Sequence, residues 1–191
     1  MTAQGLWEIQ SRVANCKNKK GFTIIEVVLV LAIGGLIFLM VFIALPALQR
    51  SQRNTQREDD LARVLTAVND YQTNNSGKTP FEGNNVNPNF VKRYVDEETV
   101  YNASAKKITA CGDQFKDPDG ECYQIEVLGA ATAGQKGVSA SIPAAFNHTF
   151  YAYNNATCGD LEGTYDAGTG KRQVAIFFVE EGGAIACNDN H

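Results

Sequence analysis

At 191 residues and 20.8 kDa, the chain has room for one domain beside its N-terminal apolar run. The formal net charge is −4 with a pI of about 5.2, and no basic tail or basic-aromatic cluster marks a dedicated nucleic-acid surface. Catalysis has little to work with: there are two histidines, His148 and the terminal His191, and no glycine-rich phosphate loop, G-x-S-x-G or H-E-x-x-H. The sequence therefore points away from an enzyme and calls for no cofactor.

Residues 1–21 are a mixed polar segment carrying Arg12, Lys17, Lys19 and Lys20 against Glu8 alone. This is not the order of a secretory signal peptide, because no small-x-small site follows the apolar run; Ala44-Leu45-Pro46-Ala47 is only a poor match. The run from Phe22 to Leu45 is about 24 residues long, against the ~20 needed to cross a bilayer core. One charge interrupts it, Glu26. A carboxylate in a membrane span costs roughly 2.5–3.5 kcal/mol on insertion scales, so it needs a partner or a purpose. The charge rule supports a cytoplasmic leader only weakly, since Arg50, Arg53 and Arg57 lie on the other side of the span.

The arrangement of a basic leader, Gly21, then Phe22-Thr23-Ile24-Ile25-Glu26 and an apolar run resembles the class III signal and N-terminal helix of type IV pilins and pseudopilins. The resemblance covers about 50 residues. It implies cleavage by prepilin peptidase between Gly21 and Phe22, N-methylation of Phe22, and an assembly role for Glu26 as the fifth residue of the mature chain. It also implies a single-pass inner-membrane precursor that becomes an extracellular filament. Its partners would be copies of itself, packed through the N-terminal helices, the peptidase and a pilus assembly platform. The implied function is a structural subunit of a type IV pilus, in adhesion, twitching motility or DNA uptake. The alternatives are a pseudopilin of a type II secretion or competence system, and a single-span anchored binding domain that never polymerises.

Beyond Pro46, residues 49–60 are strongly polar, and then Leu61, Val64, Leu65, Val68 and Tyr71 recur at three- and four-residue steps. That spacing predicts one apolar face of a helix, with Arg63, Asn69 and Asp70 outside the stripe. The helix is expected to stop at Asn74-Asn75-Ser76-Gly77. Pro46 lacks an amide hydrogen and should kink or weaken it, and Gly34-Gly35 forms a second soft point. In a filament these positions would bracket a segment that melts.

The pattern then becomes short runs broken by turn residues. Residues 90–98 predict a short helix, and residues 123–127, 149–153 and 173–179 predict strands. Glu180-Glu181-Gly182-Gly183 should turn the last of these back into residues 184–187 as a hairpin. Residues 130–141 and 163–170 read as glycine- and alanine-rich loops. The expected fold is α+β and pilin-like: a leader over 1–21, a long helix over 22–77, and a β-rich head over 78–191 whose small antiparallel sheet packs on that helix.

Of the five cysteines, Cys16 falls in the leader, leaving Cys111, Cys122, Cys158 and Cys187. An even count in a small, loop-rich domain outside the membrane reads as a disulfide framework with three possible pairings. Cys111–Cys122 and Cys158–Cys187 are preferred, since each closes a sequence-local loop. Zinc is the rival, but neither spacing is C-x₂₋₄-C. Asp113, Asp117, Asp119 and Glu121, with Gly120, resemble the opening of a calcium loop, but the twelve-residue pattern is incomplete and Asp-Pro-Asp-Gly also reads as a tight turn. Asp160, Glu162 and Asp166 form a second acidic loop, read as solvated.

Overall fold

The computed structural model describes residues 21–83, 85–97, 99–102, 107–112, 115–131, 136–138, 142–143 and 146–190. The elements opening the chain are helix α1 (Ile24–Asn74), strands β1 (Phe81–Glu82) and β2 (Asn85–Val86), and a short α2 (Pro88–Phe90). A π-helical turn, Val91–Val95, follows α2. The remaining strands are β3 (Thr99–Asn102), β4 (Lys107–Ala110), β5 (Tyr123–Ala130), β6 (Lys136–Val138), β7 (Thr149–Asn154), β8 (Ala156–Cys158), β9 (Thr164–Ala167), β10 (Val174–Val179) and β11 (Ile185–Asp189).

The chain divides into two compact units, Met1–Pro46 and Ala47–His191. In the first, the described chain is the N-terminal part of α1, with large apolar side chains exposed from Phe22 to Leu45. Among the described residues, α1 is the one helix long and apolar enough to cross a membrane. Gly34 and Gly35 lie within it, and a Cβ at either would meet nothing within 4 Å. Pro46 also lies inside the helix, at the division between the units.

In the second unit, the stripe Leu61, Val64, Leu65 and Val68 is buried as its spacing predicts, while Arg63, Asn69 and Asp70 face solvent. Burying each such aliphatic side chain contributes about 1.5–3 kcal/mol. The helix ends where the poor helix formers cluster: Gly77 N donates to Gln72 O at 2.7 Å, with Gly77 at φ 79°. The apolar stripe packs into a core with Phe90, Ile108, Tyr123, Ile125, Phe150, Ile176 and Phe178.

Apart from Phe90, which comes from α2, those residues belong to one face of a six-stranded sheet ordered β11-β10-β7-β5-β4-β3. This sheet is mixed, which corrects the expectation of an antiparallel one: β5 and β7 run parallel, with Ile125 opposite Phe150. The chain between Ala130 and Thr149 is long enough for the crossover that a parallel pair requires. The supposed loops at 130–141 and 163–170 contain β6 and β9, which with β8 form a three-stranded sheet ordered β6-β9-β8. That sheet covers the second face, where Tyr151, Tyr153, Tyr165, Phe177 and Val179 form a separate core. β7 and β10 are consequently buried on both faces, and for β10 the apolar run Val174–Val179 follows from that. Residues 90–98 also depart from a simple helix: α2 passes into the π-helical turn, which ends at Asp96 in extended conformation. The hairpin β10–β11 forms as expected, with Glu180 N donating to Ala184 O and Gly183 at φ 86° in the turn.

Candidate assembly site

Gly21 and Phe22 precede the helix, and Thr23 caps it. Thr23 N and Thr23 Oγ1 both donate to Glu26 Oε2 at 2.8 Å, and Glu26 N donates back to Thr23 Oγ1 at 3.4 Å. This reciprocal pattern is a capping box, which needs Thr first and Glu three residues later. It keeps the Gly21–Phe22 peptide outside the helix and holds the carboxylate at the helix's N-terminal end, where the backbone dipole favours negative charge. Glu26 is the only charge among exposed apolar side chains: Phe22 is 86 % exposed and Ile24 85 %. Among the described residues, therefore, the acid has a local hydrogen-bond partner but no counter-charge.

In the second unit the acidic turn, within the Cys111–Cys122 loop, forms part of a site that sequence reasoning missed. The structure joins Cys111 to Cys122 and Cys158 to Cys187. Within the first loop, Gly120 N donates to Asp117 O at 2.7 Å, so Asp117-Pro118-Asp119-Gly120 is a tight turn. Its carboxylates are directed at Arg57, which is fully buried. Arg57 Nε donates to Asp117 Oδ1 at 2.6 Å and Nη2 to Asp117 Oδ2 at 2.7 Å. Nη2 also donates to Asp119 Oδ2 at 2.8 Å, and Nη1 donates to Glu181 Oε1 at 2.7 Å and Asn54 Oδ1 at 3.2 Å. The guanidinium face lies 4.0 Å from the Phe146 ring. Arg53 supports the same group, donating to both Glu181 oxygens at 2.5 and 2.6 Å.

This network ties α1 to the acidic turn and to the β10–β11 turn. Burial opposes the charge on Arg57, but its hydrogen bonds to Asp117 and Glu181 outweigh that and raise its pKa. Hydrogen bonding to Arg53, opposed by burial and reinforced by Arg57, brings Glu181 down to about 2. Nearby, burial holds Asp60 above the usual carboxylate range although Tyr123 OH donates to it at 3.0 Å. Asp117 and Asp119 are thus salt-bridge partners of Arg57, while Glu121 is exposed. His148 Nδ1 stands 3.5 Å from Asp117 Oδ2, at the edge of the cluster. Asp113, Cys16 and His191 lie outside the described residues. Asp160, Glu162 and Asp166 do not converge on one centre: Glu162 Oε1 accepts from Ile185 N at 2.7 Å, and Asp166 sits in β9.

The helix start thus places one acid within an exposed apolar helix long and apolar enough to cross a membrane, four residues after Phe22. Residues 16–42 match the family model described as the prokaryotic N-terminal methylation motif, so the chain carries the class III signal peptide of type IV pilin-like prepilins. No curated protein and no solved structure matches the chain. With its long helix packed against a β-sheet, the fold is α+β and pilin-like.

Proposed function

We propose that the chain is a structural subunit of a type IV pilus, cut after Gly21 by prepilin peptidase, N-methylated at Phe22 and assembled through residues 22–45. The subunit does its work by packing and not by catalysis. The observation that carries this reading is the helix start: Glu26 lies among exposed apolar side chains, in register with the Gly21–Phe22 junction, without a counter-charge among the described residues. On assembly the apolar faces exchange lipid for one another, and the new α-amino group of a neighbouring Phe22 supplies the missing charge. A buried pair of this kind contributes register more than stability, because a wrongly staggered subunit leaves a charge unpaired. Gly34, Gly35 and Pro46 are the positions at which the helix loosens to fit the filament. A pseudopilin shares all these features and differs in the length of the assembly. The precursor is a single-pass inner-membrane protein, and the assembled form is extracellular.

The test is N-terminal sequencing, with intact mass, of protein sheared from cell surfaces. The expected product begins at methylated Phe22 and is polymeric. Sheared material retaining residues 1–21, or a chain found only as an uncleaved membrane monomer, overturns the reading.

A further inference from the structure

Residues 47–52 of α1 follow Pro46, and every one of them is exposed. Among the described residues, no hydrogen bond or ion pair joins their side chains to a strand or turn of the second unit. Pro46 lacks an amide hydrogen, which leaves the Phe42 carbonyl without its helical donor. Residues 47–52 are thus helical by local propensity alone, whereas most helix stability in proteins comes from the packing of an apolar face.

Attachment begins abruptly at Arg53, which grips both Glu181 oxygens and lies 3.4 Å from Asp119 Oδ1. Asn54 Nδ2 donates to Glu180 Oε2 at 3.1 Å, and Glu181 N donates to Asn54 Oδ1 at 3.3 Å. One turn on is Arg57, buried between Glu181 and Asp117. Both receiving turns are closed by bonds of their own. Glu180 N donates to Ala184 O at 2.8 Å and Gly183 N to Glu180 O at 2.9 Å, while Asp117 N donates to Glu121 O at 3.0 Å inside the Cys111–Cys122 loop. Behind Arg57, Tyr123 OH holds Asp60, and the buried stripe begins at Leu61. The helix therefore passes from no attachment at residue 52 to attachment in every turn from Arg53 onward.

Resting on the filament reading above, we infer that Arg53, Asn54 and Arg57 form a stop on α1: when the helix loosens at Pro46 in the filament, unwinding spreads through residues 47–52 and halts where Arg53 holds Glu181. Passing Arg53 breaks a two-pronged ion pair, and passing Arg57 leaves the fully buried Asp117 carboxylate without its cation. Unwinding lengthens the chain from the helical rise of about 1.5 Å per residue to about 3.3 Å when extended. Six residues can thus add up to about 11 Å to the link, and the stop fixes that limit.

The experiment is hydrogen–deuterium exchange, read residue by residue, on sheared filaments of the full chain. The first four amides of a helix have no acceptor, so a helix that restarts at Arg53 protects its amides only from Arg57 onward. In the parent, amides 47–56 should exchange fast and those from Arg57 slowly. Arg53→Gln with Asn54→Ala spares the buried Arg57–Asp117 pair, and with it the fold. In that variant amides 57–60 should exchange at least about ten-fold faster than in the parent, with slow exchange beginning at Leu61. Glu181→Gln, made from the other side of the same tie, should move the boundary in the same direction. Slow amides at 51–56 in parent filaments, or a boundary that neither variant moves, overturn the stop and leave the filament reading intact. Parent cells that yield no filament overturn both.

Discussion

Replacing Arg57 by Met removes a fully buried cation from a cluster of fixed acids. The loss is concentrated at Asp117, whose side chain is itself fully buried and whose two oxygens receive Arg57 Nε at 2.6 Å and Nη2 at 2.7 Å. Glu181 and Asp119 are less affected, because Arg53 still reaches both. Breaking a buried pair from one side costs about 3–5 kcal/mol, much of it the cost of an uncompensated charge. Against a typical stability of about 5–15 kcal/mol, Arg57→Met should leave the domain marginal. Met keeps most of the packing against Phe146, which isolates the electrostatic part. Adding Asp117→Leu removes the orphaned charge, and the double variant should recover a large share of the loss. The assay is urea unfolding of the full chain in detergent micelles, followed by the near-ultraviolet circular dichroism of its tyrosines. A loss below about 1 kcal/mol for Arg57→Met, or a double variant no better than the single, would refute the role assigned to the cluster, since surface pairs contribute that little.

Three further outcomes follow from the second unit. Glu181 is held at about 2 against an ordinary value of 4.5, so between those pH values the unfolded chain binds more protons; stability is complete above about pH 4.5 and falls toward pH 2. The stability lost across that window is about 3 kcal/mol, reduced by protonation of Asp60 and Glu180, and the pH dependence should flatten in Glu181→Gln when melting is followed against pH. Non-reducing peptide mapping should find Cys111 linked to Cys122 and Cys158 to Cys187. Removing the first bond should cost about 2–4 kcal/mol and be non-additive with Arg57→Met, because that loop carries Asp117. Gly112→Ala would drive a methyl group into the Asp96 carboxylate that accepts from Gly112 N, and should lower stability by about 1–3 kcal/mol in the same urea titration.

The parts of the fold legible in the sequence are those whose pattern is local. Leu61, Val64, Leu65 and Val68 repeat at helical steps, residues 174–179 are apolar throughout, and Glu180-Glu181-Gly182-Gly183 carries its own turn chemistry. The motif at Gly21, Phe22 and Glu26 is equally local. The direction of β7 is not, since alternation is the same in parallel and antiparallel strands and only the crossover after Ala130 decides. Short β6 and β9 are hidden among glycines, because three or four residues carry too little periodicity. The Arg57 cluster is hidden for another reason. Asp117 and Asp119 are 60 and 62 residues from Arg57, and Glu181 is 124, so no short window of sequence contains Arg57 together with the acids that pair with it. Arg53 and Arg57 one turn apart on the polar stretch of a helix were the available signal, and by themselves they describe any solvated face.

The central claim is that Glu26 serves assembly, and electron microscopy of a Glu26→Val strain beside an immunoblot of its membranes tests it most directly. In a plain anchor, Val relieves an insertion cost of roughly 2.5–3.5 kcal/mol and leaves display intact or improved. In an assembling subunit, it leaves the amine of a neighbouring Phe22 buried without its partner at each addition, a cost of about 3–5 kcal/mol every time. The account predicts processed protein in the membrane and few or no filaments. Filaments of normal number and length from Glu26→Val would contradict it.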